Sequence, residues 1–221
     1  ERLVVEDDEI DAVERDARCL PALEAISAAY PGRLTVIHGD ALDVDLATQV
    51  GAGHQAAIVA NLPYNVATLL LVGWLEAEAW PSWWSRMILM FQKEVAQRLV
   101  AEPGTKAYGR LSVLTQYRAV PRIRMSLPPQ AFTPAPKVES SVVEIVPCAE
   151  PQPPCPIKAL ARVTAAGFGQ RRKMLRSSLQ TITPFAELLL QRAGIDPERR
   201  AETLSVSEFA RLANALESPM D

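Results

Sequence analysis

The sequence predicts a doubly wound α/β domain with a mostly parallel sheet, followed by a small all-helical domain. Three observations predict it. Apolar runs at 10–13, 34–38, 55–60 and 87–91 alternate with helical stretches, the spacing of strands joined by crossover helices. The first three runs each give way to polar residues, at Glu14, at Gly39-Asp40 and at Asn61, and open α/β sheets bind ligands at such strand ends. Five prolines between 147 and 157 then close the alternation, and only helical patterning follows. The expected division is a sheet domain over 1–146, a proline-rich linker over 147–157 and a helical domain over 158–221.

Taken in order, residues 1–16 are acidic, and Ile10 to Val13 read as a strand ending at Glu14. Carboxylates at strand ends in this fold class commonly accept hydrogen bonds from ribose hydroxyls. Glu6, after Leu3-Val4-Val5, is an alternative for that role. Arg18 to Tyr30 predict a helix stopped by Pro31-Gly32. Leu34 to His38 form the second strand, with His38 expected to be structural. Asp40 follows it, placed to accept from the amine of a bound adenine or to cap the next helix. After the third strand, Ala67–Ala77 predict a helix, and Trp74, Trp80, Trp83 and Trp84 read as packing residues. Met87 to Phe91 give the fourth strand, Gln92 to Val100 a helix, and Tyr108 to Tyr117 a helix opened by Gly109. Arg122 to Arg124 and Ser140 to Val146 complete the strands. Beyond the prolines, Ala159 to Ala166 lead into Arg171, Arg172, Lys173 and Arg176. On a continuous helix, Arg172, Lys173 and Arg176 share one arc of ~100°. That is a compact basic face suited to phosphates. Ser205 or Ser207 is a cap for the last helix, and Gly194 stops the one before it.

Composition narrows the function. The chain has 221 residues, is 48% hydrophobic and 22% charged, and carries a net charge of −3. Any nucleic-acid binding must therefore rest on a local patch. Three cysteines without a Cys-x-x-Cys pair, and two histidines, argue against a disulfide framework or a metal site and fit a reducing cytoplasm. No apolar run reaches the ~18 residues of a membrane span, and neither a signal peptide nor membrane attachment is expected.

The chemistry concentrates at Asn61-Leu62-Pro63-Tyr64. Pro63 disfavours the α region at Leu62, so an extended segment over Asn61 to Tyr64 is expected. An amide side chain, backbone carbonyls and an aromatic face then meet a flat ligand carrying an amine. This suits methylation of an exocyclic amine, as in adenine N6 or glutamine. Such a nitrogen is conjugated and poorly nucleophilic. The Asn61 oxygen and a proline carbonyl could orient its hydrogens and stabilise the positive charge that develops. Tyr64 could stack on the base. Phe132 precedes a loop stiffened by Pro134 and Pro136 and could close the second face of a base sandwich, with stacking worth ~1–3 kcal/mol.

These pieces together resemble the ribosomal RNA adenine dimethyltransferase family of the KsgA type. The matching stretches are AVERDARCLPAL (12–23), GDAL (39–42), NLPYNVAT (61–68), FQKEVAQR (91–98), YGRLSVL (108–114), FTPAPKVESSVV (132–143) and FGQRRKMLRSSL (168–179). The resemblance implies a Rossmann-like class I methyltransferase fold with S-adenosylmethionine as donor. It implies as substrate two adjacent adenosines near the 3′ end of small-subunit ribosomal RNA in an immature subunit, each methylated twice on N6; a monomer is expected. Carried over by motif, Glu14 binds the cofactor ribose and Asp40 its adenine. Asn61, which also borders the cofactor, forms the target-base site with Leu62, Pro63 and Tyr64, and Phe132 flanks it. Arg171, Arg172, Lys173 and Arg176 contact RNA. The alternatives are the related large-subunit enzymes of the antibiotic-resistance type and a non-catalytic ribosome-assembly factor. The family opens with a strand and a glycine-rich loop for the methionine end of the cofactor. Here Gly32 and Gly39 are the only glycines before residue 50. The expectation is therefore a sheet incomplete at its amino-terminal side, with open strand edges. Either a glycine-rich segment lies upstream in the intact protein, or the chain is a cofactor-free form.

Overall fold

The computed structural model describes residues 9–51, 53–80 and 82–218. Leu3-Val4-Val5 and Glu6 lie outside them. The chain divides into two compact units, residues 1–52 and 53–221.

In the first unit, β1 (Ile10–Glu14) and β2 (Leu34–His38) pair in parallel, from Ile10 opposite Leu34 to Glu14 opposite His38. The crossover between them is α1 (Leu20–Ala29), which begins near Pro21 as a proline-opened helix does. Gly32, at φ 76°, makes the turn into β2. A short α2 (Leu46–Val50) follows, capped by Asp45, whose carboxylate accepts from the Thr48 N–H. None of the described residues of this unit is fully buried, and His38 is exposed. The expected structural role for His38 does not hold. It stands at the last position of its strand, in a sheet of two strands where little is enclosed.

In the second unit a four-stranded sheet runs in the order β3 (Ala56–Ala60), β4 (Trp84–Gln92), β6 (Ser140–Pro147), β5 (Ala119–Leu127). β3 and β4 are parallel, while β6 runs antiparallel to both β4 and β5. Three of the four strands thus point one way. β5 is an edge among the described residues and carries Pro121, a residue that sheets confine largely to edge strands. β3 pairs with β4 alone and β1 with β2 alone among the described residues.

One face of this sheet is covered by α3 (Tyr64–Glu76), α4 (Lys93–Leu99) and α5 (Arg110–Arg118). Ala67, Leu71 and Leu75 of α3, at helical spacing, meet Trp84, Met87, Leu89 and Phe91 of β4 and Val143 and Ile145 of β6. The tryptophans are packing residues as expected. Trp84 is fully buried, and Trp74, Trp80 and Trp83 pack around the same core. The Arg118 guanidinium lies 4.5 Å from the Trp80 ring centroid and donates to the Ala77 carbonyl, so a buried cation is held without a carboxylate among the described residues.

Residues Val113, Leu114 and Tyr117 of α5 join a second core with α6 (Ile157–Gly169), α7 (Leu175–Ser178), α8 (Ala186–Arg192) and α9 (Val206–Glu217). α6 approaches its neighbours closely at Gly167, where a β-carbon would lie 3.0 Å from that of Ala201. Ser205 caps α9 in a reciprocal pair with Glu208, while the Ser207 hydroxyl bonds Ser205. Between β6 and α6, the Tyr117 hydroxyl meets the Pro153 carbonyl and the Cys155 N–H, and Asn214 donates to the Pro154 carbonyl.

Candidate active site

In the first unit, the parallel pairing of β1 and β2 brings two carboxylates to the same sheet end. Glu14 is the last residue of β1, and Asp40 follows β2 by two residues. The Gly39 N–H between them donates to the Glu14 carbonyl at 3.0 Å. One Glu14 oxygen accepts from the Asp16 N–H at 2.6 Å. Asp40 accepts from the Leu42 N–H at 3.0 Å and from Arg15 at 2.9 Å. These two donors, the backbone one first, lower its carboxyl below the usual range and keep it an acceptor. Asp40 closes a turn rather than capping a helix, since Asp45 caps α2. A carboxylate offers about four acceptor sites, so both groups retain capacity for hydroxyl or amine donors.

In the second unit, Asn61 follows β3 directly. It is exposed, and its side chain makes no hydrogen bond among the described residues. Leu62 is half-buried against the sheet core. Pro63, at φ −55° and ψ 134°, is the N-cap of α3, and Tyr64 is already helical. The extended segment therefore ends at Pro63 rather than Tyr64, because the φ that proline fixes also suits a helix start. The proline carbonyl, expected to face the amine, instead accepts from the N–H groups of Val66 and Ala67, at 3.0 and 3.1 Å. The Leu62 carbonyl has no partner among the described residues and is the backbone acceptor left beside Asn61. Nothing in the residue pattern separates these carbonyls until the first turn of α3 is known.

The Tyr64 ring is half-buried, and its hydroxyl lies 2.6 Å from that of Ser140, a residue the sequence did not single out. Phe132 is half-buried, after the 3₁₀ turn Pro129–Ala131 and before the cis Thr133–Pro134 bond. No ring contact joins it to Tyr64 among the described residues. Lys93 links the end of β4 to this region, its N–H donating to the Glu139 carbonyl at 2.9 Å and its ammonium pairing with the Glu139 carboxylate.

The basic residues are not on one helix face. α6 ends at Gly169, residues 170–173 turn, Met174 is extended, and only Arg176 of the group is helical. The Leu175 and Arg176 N–H groups donate to the Arg199 and Pro197 carbonyls, which starts α7 as a separate helix. Arg171 is committed internally, to Glu202 at 2.8 Å and to the Thr105 carbonyl at 3.1 Å. Arg176 lies 3.7 Å from Glu198. Arg172 and Lys173 are exposed and have no such partner among the described residues. No group of potential metal ligands occurs among the described residues, and no helix there is long and apolar enough to cross a membrane.

Comparison with known proteins extends this geometry. The chain is 59% identical over 209 residues to ribosomal RNA small subunit methyltransferase A of Mesorhizobium japonicum, covering 93% of this chain and 74% of the relative. It is 58% identical over 205 residues to the protein of that name from Agrobacterium fabrum, with 93% and 73% covered. Among solved structures, a dimethyladenosine transferase from Plasmodium falciparum superposes with a TM-score of 0.75 at 20% identity, over 92% of this chain and 80% of that one. The 23S rRNA methyltransferase ErmE gives 0.66 at 21%, over 95% and 82%. These two establish the class I methyltransferase fold. The sequence profile of ribosomal RNA adenine dimethylases matches residues 2–218. The chain belongs to the ribosomal RNA adenine dimethylase family.

Proposed function

We propose that the protein dimethylates N6 of two adjacent adenosines near the 3′ end of small-subunit ribosomal RNA, using S-adenosylmethionine. The observation that carries the reading is the Asn61 amide at the carboxyl end of β3, without a partner among the described residues, beside a Leu62 carbonyl that has none there either. Two acceptors match the two hydrogens of an adenine amine. They hold the nitrogen lone pair toward the methyl donor and stabilise the charge that grows on nitrogen. No side-chain base is required, because an N-alkylated cationic amine is acidic enough to lose its proton to water. After one transfer the amine keeps one hydrogen and still engages one acceptor, so a second round is possible. After two it donates to neither, which favours release. Tyr64 and Phe132 supply aromatic faces for the base.

Glu14 and Asp40 fit the nucleoside half of the cofactor, as carboxylates with acceptor capacity at one end of a parallel strand pair. S-adenosylmethionine, when bound, supplies an electrophilic methyl group. The chain's own part is to orient the amine and exclude competing acceptors. Arg172 and Lys173, with a smaller share from Arg176, meet RNA phosphates from the helical domain over 158–221, beyond the linker at 147–157. Arg171 instead holds the 102–106 loop in place. The substrate is the RNA within an immature subunit, met in the cytoplasm by a monomer.

The test is transfer of labelled methyl groups to small subunits isolated without these methylations. Incorporation of four methyl groups per subunit is expected. Tight binding without incorporation would identify an assembly factor instead.

A further inference from the structure

The Tyr64 hydroxyl lies 2.6 Å from the Ser140 hydroxyl, across 76 positions of sequence. Ser140 is completely buried and is the first residue of β6. It pairs with Gln92 at the end of β4 and with Leu127 at the end of β5. Its neighbour Glu139 is fastened twice to Lys93, by backbone and by charge. The Ser140 hydroxyl is therefore fixed to the sheet. Tyr64, in contrast, opens a helix, and its hydroxyl has no other partner among the described residues.

We infer that Ser140 is a positioning residue that sets the orientation of the Tyr64 ring for the target base; the inference rests on the base-site reading of Tyr64. Its physical basis is the phenol. The phenolic oxygen sits at the far end of the ring from the backbone, so anchoring it fixes χ1. Its hydrogen and in-plane lone pair favour a partner in the ring plane, which restricts χ2, otherwise a broad torsion. Stacking depends on overlap of two planes, so a ring free to swing loses part of it. A buried serine holds that geometry where a mobile water would not.

The experiment uses the whole chain with small-subunit RNA carrying 2-aminopurine at a target adenosine, whose fluorescence falls on stacking. Tyr64→Ala should lose much of the quenching, leaving what the Phe132 face supplies. Tyr64→Phe and Ser140→Ala remove the same hydrogen bond from opposite sides. Each should lower the stacked-to-unstacked ratio by about two- to tenfold, the range for one hydrogen bond. The double variant should be no worse than either single one, and RNA affinity should hold. Tyr64→Phe keeps the ring volume, so it decides the question even if Ser140→Ala fails to fold. Wild-type quenching in Tyr64→Ala would remove Tyr64 from the base site and the inference with it. Lost quenching in Tyr64→Ala with wild-type quenching in Tyr64→Phe would overturn the positioning role alone.

Discussion

Replacing Asn61 with Ala isolates the chemistry from the fold. Asn61 is exposed and bonds to no other described residue, so its loss should leave stability within about 0.5 kcal/mol. RNA affinity rests on phosphate contacts elsewhere and should change little. The transition state, however, loses one of its two acceptors. Removing one preorganised polar partner of developing charge costs about 10²–10³ in rate, or ~2.7–4 kcal/mol. The Leu62 carbonyl remains, because backbone is untouched, so some activity should persist. Asn61→Asp keeps an oxygen at the site and should fall between Ala and the wild type. The assay is a single-turnover transfer with protein in excess over undermethylated small subunits, beside a thermal melt and a binding titration. A wild-type rate in Asn61→Ala would refute the two-acceptor account. So would a rate loss matched by an equal loss of RNA affinity.

Other expectations concern charge and packing. Replacing Arg172, Lys173 and Arg176 with Ala should weaken subunit binding and flatten its log–log salt dependence by ~0.7–0.9 for each phosphate no longer neutralised. Most of the change should come from Arg172 and Lys173, since Arg176 already faces Glu198; an unmoved slope would make them solvated surface. Tyr108 is completely buried with no partner for its hydroxyl among the described residues, and burial pushes that hydroxyl's pKa upward. Tyr108→Phe should therefore leave the melting temperature unchanged or raise it, by up to about 1–3 kcal/mol of stability, and a clear drop would show that the hydroxyl is satisfied. Burial raises the Glu208 carboxyl, but Arg199 and the Ser205 N–H outweigh that and bring it below its ordinary 4.5. A depressed carboxyl contributes stability above the unfolded value, and that contribution is lost as the pH falls through the folded one. Melting temperature should fall below about pH 4.5 in the wild type and less steeply in Glu208→Gln.

Much of this was legible in the sequence because it is local. Apolar runs bounded by turn residues marked β1, β2 and β3 within a residue or so, and with them the strand-end positions of Glu14 and Asn61. A serine cap at 205 or 207 and the stop at Gly194 were readable from cap chemistry, and the structure chooses Ser205. What was hidden depends on partners distant in the chain. The 170–176 stretch has helical composition, but it breaks where the carbonyls of Pro197 and Arg199 take the N–H groups that a continuous helix would use. Arg171 looks like its neighbours until Glu202 is placed against it. Which carbonyl near Pro63 is free follows only from where α3 starts. The Tyr64–Ser140 bond spans 76 residues and leaves no periodic trace.

The proposed reaction leaves a specific product on a specific RNA. The direct measurement is mass spectrometry of nuclease fragments from ribosomal RNA after reaction with the protein and S-adenosylmethionine. Two adjacent adenosines near the 3′ end of small-subunit RNA, each heavier by two methyl groups, are expected. Methylation of a large-subunit adenine, or RNA bound with no gain of mass, would contradict the proposed reaction.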